Sequence, residues 1–81
     1  MGKIHEVEGI KTTDMHLYFT VDGQPYRIKW TDCSTKLSIS PADRRTYLDV
    51  SPSGYGLHWP LLDEDLAITP LLRHAEALSQ A

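Results

Sequence analysis

The chain contains a single cysteine, Cys33, among its 81 residues, so no internal disulfide can form and a reducing, cytoplasmic compartment is expected. It has no apolar run approaching the ~20 residues of a membrane span. Its opening, MGKIHEVEG, lacks the basic-then-apolar signature of a signal peptide. Positive charge is scarce as well: 8 Lys and Arg against 11 Asp and Glu give a net charge of −3. With a pI near 5.7, nucleic acid is not expected as a direct ligand, because phosphate neutralisation needs a basic surface. Also missing are a nucleophile elbow, a C-x-x-C pair and a phosphate loop, so no catalytic residue is assigned. What remains is 41% hydrophobic and 23% charged, the composition of an ordinary soluble domain. The length suits one domain over residues 1–81 with a small core, burying roughly 60% of the unfolded surface.

The first third reads as strands. Residues 3–12 alternate around Ile4, Val7 and Ile10, and Gly9 interrupts the pattern as a bulge would. Thr13-Asp14 marks a turn. Met15 to Val21 has period two, with Met15, Leu17, Phe19 and Val21 on one face and His16, Tyr18 and Thr20 on the other. Asp22-Gly23 is a hairpin signal, since both residues tolerate positive φ. Tyr26 to Trp30 returns with Tyr26, Ile28 and Trp30 inward and Arg27 and Lys29 outward.

Beyond Trp30 the pattern weakens, and Leu37 and Ile39 are the only anchors of a polar stretch. Ser40 as N-cap and Pro41 at the first helical position, with Asp43 following, predict a short helix. Tyr47 to Val50 is extended and Ser51-Pro52-Ser53-Gly54 is turn chemistry. Tyr55 to Trp59 is the partner strand, with Tyr55, Leu57 and Trp59 on one face. Pro60 ends it, and 61–68 reads as a loop holding Asp63-Glu64-Asp65. Thr69-Pro70 opens a helix to about Ser79 whose stripe is Leu71, Leu72, Ala75 and Leu78. The expected fold class is α+β in the order β-β-β-α-β-β-α. It has a small antiparallel sheet of four to five strands and two short helices on the face lined by Leu17, Phe19, Ile28 and Leu57. Trp59 is expected to pack beneath the C-terminal helix.

Few residues invite chemistry. His5, His16, His58 and His74 are scattered without zinc-site spacing, so neither a metal nor another cofactor is expected. Cys33 has no neighbours that would activate it and reads as a structural thiol. Trp30, Tyr55 and Trp59 could offer a stacking platform, but without a basic groove they read as core. The glycines around Tyr55, Gly54 and Gly56, fit a tight turn and a bulge. Asp63-Glu64-Asp65 is the densest charge in the chain, suited either to a solvated partner contact or to internal capping. The sequence favours a mixture, with Glu64 exposed and at least one of the two Asp residues structural.

The run LSISPADRRTYLDVSPSGYGLHWPLLDEDLAITPLL resembles the short bacterial form of the family called domain of unknown function 2442. The resemblance lies in Gly54-Tyr55-Gly56-Leu57-His58-Trp59-Pro60 followed by Asp63-Glu64-Asp65-Leu66, with Ala67 where the family often has Ser. It implies a small α+β domain with an antiparallel sheet and no established catalytic residues. It also implies a setting in two-gene modules, which has prompted a toxin–antitoxin idea. The expected function is therefore a non-enzymatic module that binds a small, basic protein partner, as an antitoxin-like neutraliser would. Asp63, Glu64, Asp65 and His58 are the candidate contacts. The alternative is a small metal-dependent or acid/base enzyme using His58 with Asp63 or Asp65.

Overall fold

The computed structural model describes residues 5–51 and 55–78. Three strands open the chain: β1 (Val7–Thr12), β2 (His16–Val21) and β3 (Gln24–Lys29). Asp22 and Gly23 take φ of 52° and 87°, both positive, so a two-residue turn joins β2 to β3 with Val21 opposite Gln24. Between the Glu8–Thr20 and Lys11–Tyr18 pairs, Gly9 and Ile10 of β1 stand against Phe19 alone of β2, and Gly9 has φ 64°. The interrupted alternation at Gly9 is thus a bulge, with a glycine in the left-handed region. The expected strand residues Lys3 and Ile4 lie outside the described residues. At the hairpin tip Asp22 accepts from the Glu6 amide at 2.9 Å and pairs with His5 at 3.0 Å. The His5 hydrogen bond, then that from Glu6, holds the Asp22 carboxyl below the usual carboxylate range.

The polar stretch after β3 is helical, in three single turns: α1 (Trp30–Cys33), α2 (Thr35–Ser38) and α3 (Ala42–Arg45). Ser34 caps α2 by accepting from the Leu37 amide. The helix expected at Pro41 exists, shifted by one residue, with Pro41 as its N-cap. Ser40 does not cap it; its hydroxyl donates to the Lys36 carbonyl at 2.6 Å and closes the preceding turn. A second sheet follows, β4 (Asp49–Val50), β5 (Gly56–Trp59) and β6 (Glu64–Ala67), then α4 (Ile68–Leu72) and β7 (Glu76–Ala77). The fold class is α+β, but the strands form two antiparallel sheets, β1-β2-β3-β7 and β4-β5-β6.

Two differences in the C-terminal third have clear causes. The segment read as a loop over 61–68 is a four-residue turn followed by β6. Leu62 donates to the Trp59 carbonyl around Pro60, and Asp63 takes φ 52°, which lets Glu64 pair directly with Trp59. The C-terminal helix runs from Ile68, not Pro70, and ends at Leu72 rather than near Ser79. Pro70 is its third residue, where the missing N–H has no acceptor to lose. Glu76 and Ala77 instead pair with Arg27 and Tyr26. Gln24 Nε2 donates to the Leu78 carbonyl at 2.8 Å, the Leu78 amide donates to Pro25 at 2.8 Å, and Arg27 bonds Glu76 at 2.9 Å. Those contacts secure the segment as a strand, and Glu76, with Tyr18, raises the Arg27 guanidinium further above its ordinary pKa.

Both sheets and three of the helices feed one core: Leu17, Phe19, Val21, Ile28, Trp30, Leu37, Leu57, Trp59, Ile68 and Leu71. The expected apolar face is therefore correct at Leu17, Phe19, Ile28 and Leu57. Met15 precedes its strand and is 63% exposed; Ile39 and Tyr55 are likewise exposed, Tyr55 because β5 begins one residue later. Among the described residues no helix is long and apolar enough to cross a membrane.

Candidate functional site

The segment GLHWPLLDEDLA folds into the β5–β6 hairpin, and its side chains divide by strand parity. Leu57 pairs with Leu66 and Trp59 with Glu64 on the inner face, whereas His58 pairs with Asp65 and Gly56 with Ala67 on the outer. Asp49 of β4 lies opposite His58 on its other side. The outer face thus carries a row of Asp49, His58 and Asp65 across three strands. Close approach of the strands makes Gly56 necessary: a Cβ there would stand 2.7 Å from the Leu66 carbonyl oxygen.

Inner-face groups are committed to structure. Trp59 is fully buried, its indole N–H donating to the Arg45 carbonyl at 2.8 Å and its ring meeting Trp30 edge-on at 6.5 Å. Its hydrogen-bond and ring partners therefore come from α3 and α1 and not from the C-terminal helix, whose Ile68 and Leu71 share the same core. Arg45 is a staple that the sequence did not reveal. Its guanidinium lies 5.2 Å over Trp30 and donates to the Leu37, Ser38 and Asp14 carbonyls. Glu64 is half-buried and accepts the Ser34 hydroxyl, joining β6 to the cap of α2. This reverses the expectation that Glu64 would be the exposed member of the acidic triplet.

Outer-face groups are available to solvent. His58 Nδ1 bonds Asp65 Oδ1 at 2.5 Å, with side chains 43% and 74% exposed. That contact occupies Nδ1, so Nε2 is the ring nitrogen left for a further bond. An open recess of about 420 Å³ adjoins the pair, with Ser51, Tyr55, Leu66 and Ala67 among its walls. The Ser51 hydroxyl accepts from the Tyr55 and Gly56 amides, so it is a turn cap and not a poised nucleophile. Asp63 is exposed in the turn, apart from His58–Asp65, so of the two carboxylates named with His58 the structure brings only Asp65 to it. Gly54 lies outside the described residues.

The remaining candidates are dispersed. His5 is at the hairpin tip, His16 faces Tyr18 at 5.9 Å, and His74 lines a smaller recess beside Cys33. Burial, aided by the neighbouring Asp32 charge, pushes the Cys33 thiol up to about 12, which agrees with a structural role. Among the described residues no three His, Cys, Asp or Glu side chains gather as a metal site would require.

No curated protein and no solved structure matches the chain. The model of one family, described as protein of unknown function (DUF2442), matches residues 4–77, which include this hairpin and both sheets, and the chain belongs to that family.

Proposed function

We propose that the chain is a non-enzymatic interaction module that docks a basic segment of a small partner protein on the outer face of the β4–β5–β6 sheet. The observation that carries this reading is the exposed cross-strand row Asp49, His58 and Asp65 beside an open recess with Tyr55 at its wall. Carboxylates on a sheet face attract Lys and Arg, and the recess accepts an apolar body next to them. Asp63, exposed at the turn, extends the negative field, while Glu64 supports the site from below through Ser34. In cells this describes a cytoplasmic, antitoxin-like partner of a basic protein, a reading supported by the net charge of −3 and the lone thiol. The acid/base alternative keeps one observation in its favour, the His58–Asp65 hydrogen bond.

Selection of a displayed random peptide library on the immobilised chain at low salt tests the proposal. Enriched sequences should be rich in Lys or Arg and should lose binding to Asp65→Asn combined with Asp49→Asn. Enrichment of acidic sequences, or binding indifferent to those substitutions, contradicts it. Loss of binding to His58→Gln alone, with the double Asp variant still binding, favours the histidine-centred alternative.

A further inference from the structure

Among the described residues, hydrogen bonding along the β5–β6 hairpin leaves one edge of β6 without a partner strand. Gly56 accepts from Ser51 on the β4 side, and Tyr55 accepts from Ile68 on the β6 side. Bonding direction alternates along an antiparallel strand, so Leu57 and Trp59 bond toward β6, and Leu66 and Glu64 bond back to them. The amides of Asp65 and Ala67, and the Asp65 carbonyl, therefore aim away from β5, and among the described residues the sheet order β4-β5-β6 places no strand beyond them.

Two recesses flank that edge and share Leu66 and Ala67. The outer one, about 420 Å³, has His58 and Asp65 in its wall. The other, about 220 Å³, lies on the helical side, lined by Cys33, Pro70 and Leu71 with Asp32 and His74. A strand laid against β6 sends alternate side chains to opposite faces, one set to each recess. We propose that β6 receives an extended segment of the partner as a fourth, antiparallel strand, with basic side chains toward Asp65 and apolar ones toward Leu71. Charge complementarity selects this occupant over a second copy of the chain. Joining two β6 edges would bring the Asp63–Asp65 runs of two chains, each of net charge −3, onto one short ladder, where the diagonal neighbours of each Asp65 carry the same sign. Main-chain bonds then supply affinity and the two recesses supply specificity.

This mode rests on the proposed docking of a basic segment, and the experiment separates the two. The probe is a capped hexapeptide alternating arginine and valine, in three forms: unmodified, N-methylated at the arginines, and N-methylated at the valines. In an antiparallel strand the residues facing Asp65 and Ala67 are the arginines, and their N–H groups point at β6. Methylating them should weaken binding at least about tenfold, methylating the valines should change it less than about twofold, and amide exchange at Asp65 and Ala67 should slow on binding. If both methylated forms bind like the parent, strand addition is wrong while docking of a basic segment survives. If the unmodified peptide does not bind at low salt, both fall. Sedimentation showing a dimer that blocks the peptide assigns the edge to a second copy and overturns the proposal.

Discussion

Trp59 combines full burial with a satisfied indole N–H, and both properties bear on its energetic weight. Truncation to alanine removes a large apolar volume and leaves the Arg45 carbonyl without its donor. The expected cost of Trp59→Ala is about 3–5 kcal/mol, a large share of the ~4–12 kcal/mol available to a chain this size. Urea denaturation checks it; a midpoint like that of the unsubstituted chain would show that Trp59 is not a core anchor. Cys33 is the residue-scale pH probe. Folded, it keeps its proton up to about 12, while an unfolded cysteine releases it near 8.5. The stability tied to that difference is fully present below about pH 8.5 and is lost as pH rises toward 12. Iodoacetamide at pH 8 should accordingly alkylate the native thiol about a hundredfold or more slowly than the urea-unfolded thiol, as read by mass spectrometry.

At the scale of elements, the β5–β6 hairpin depends on two contacts that the linear pattern does not display. Gly56→Ala places a methyl against the Leu66 carbonyl, which belongs to the backbone and cannot rotate away. The expected loss is about 1–3 kcal/mol in thermal or chemical melts, with faster amide exchange across the hairpin. The other contact joins Ser34 to Glu64. Ser34→Ala removes a helix cap, and Glu64→Ala removes the acceptor of that cap's hydroxyl, each at about 1–2 kcal/mol. The double variant should cost less than the sum of the two. Asp63→Asn and Asp65→Asn, at exposed positions, should stay within about 0.5–1 kcal/mol of the parent. Equal effects at Asp63, Glu64 and Asp65 would contradict this division of labour.

For the whole molecule, legibility followed how local the determining interaction is. The β2–β3 hairpin was readable because period two and Asp22-Gly23 are both properties of adjacent residues. The bulge at Gly9 was readable for the same reason. β7 was not: Ala75 and Leu78 fit a helical stripe, and only pairing with β3, some fifty residues earlier in the chain, makes the segment a strand. β6 was hidden because an acidic run reads as solvated until Trp59 and Leu57 are seen opposite Glu64 and Leu66. At the site, parity along β5 and β6 determines which members of the triplet face water, and that parity depends on a turn length set by Asp63 at positive φ. His58 and Asp65 were both named from the sequence; their union across the hairpin required the register.

On the function proposed above, the outer face of the β4–β5–β6 sheet receives a basic segment. Amide NMR on the labelled chain, titrated with the unmodified arginine–valine peptide at low salt, tests it most directly. Shift changes should concentrate at residues 49–51, 55–58 and 63–67, diminish with added salt, and vanish in the Asp49→Asn, Asp65→Asn variant. Changes centred instead on the outward residues of β1, β2 and β3, such as Lys11, Tyr18 and Arg27, would place binding on the other sheet and contradict the account.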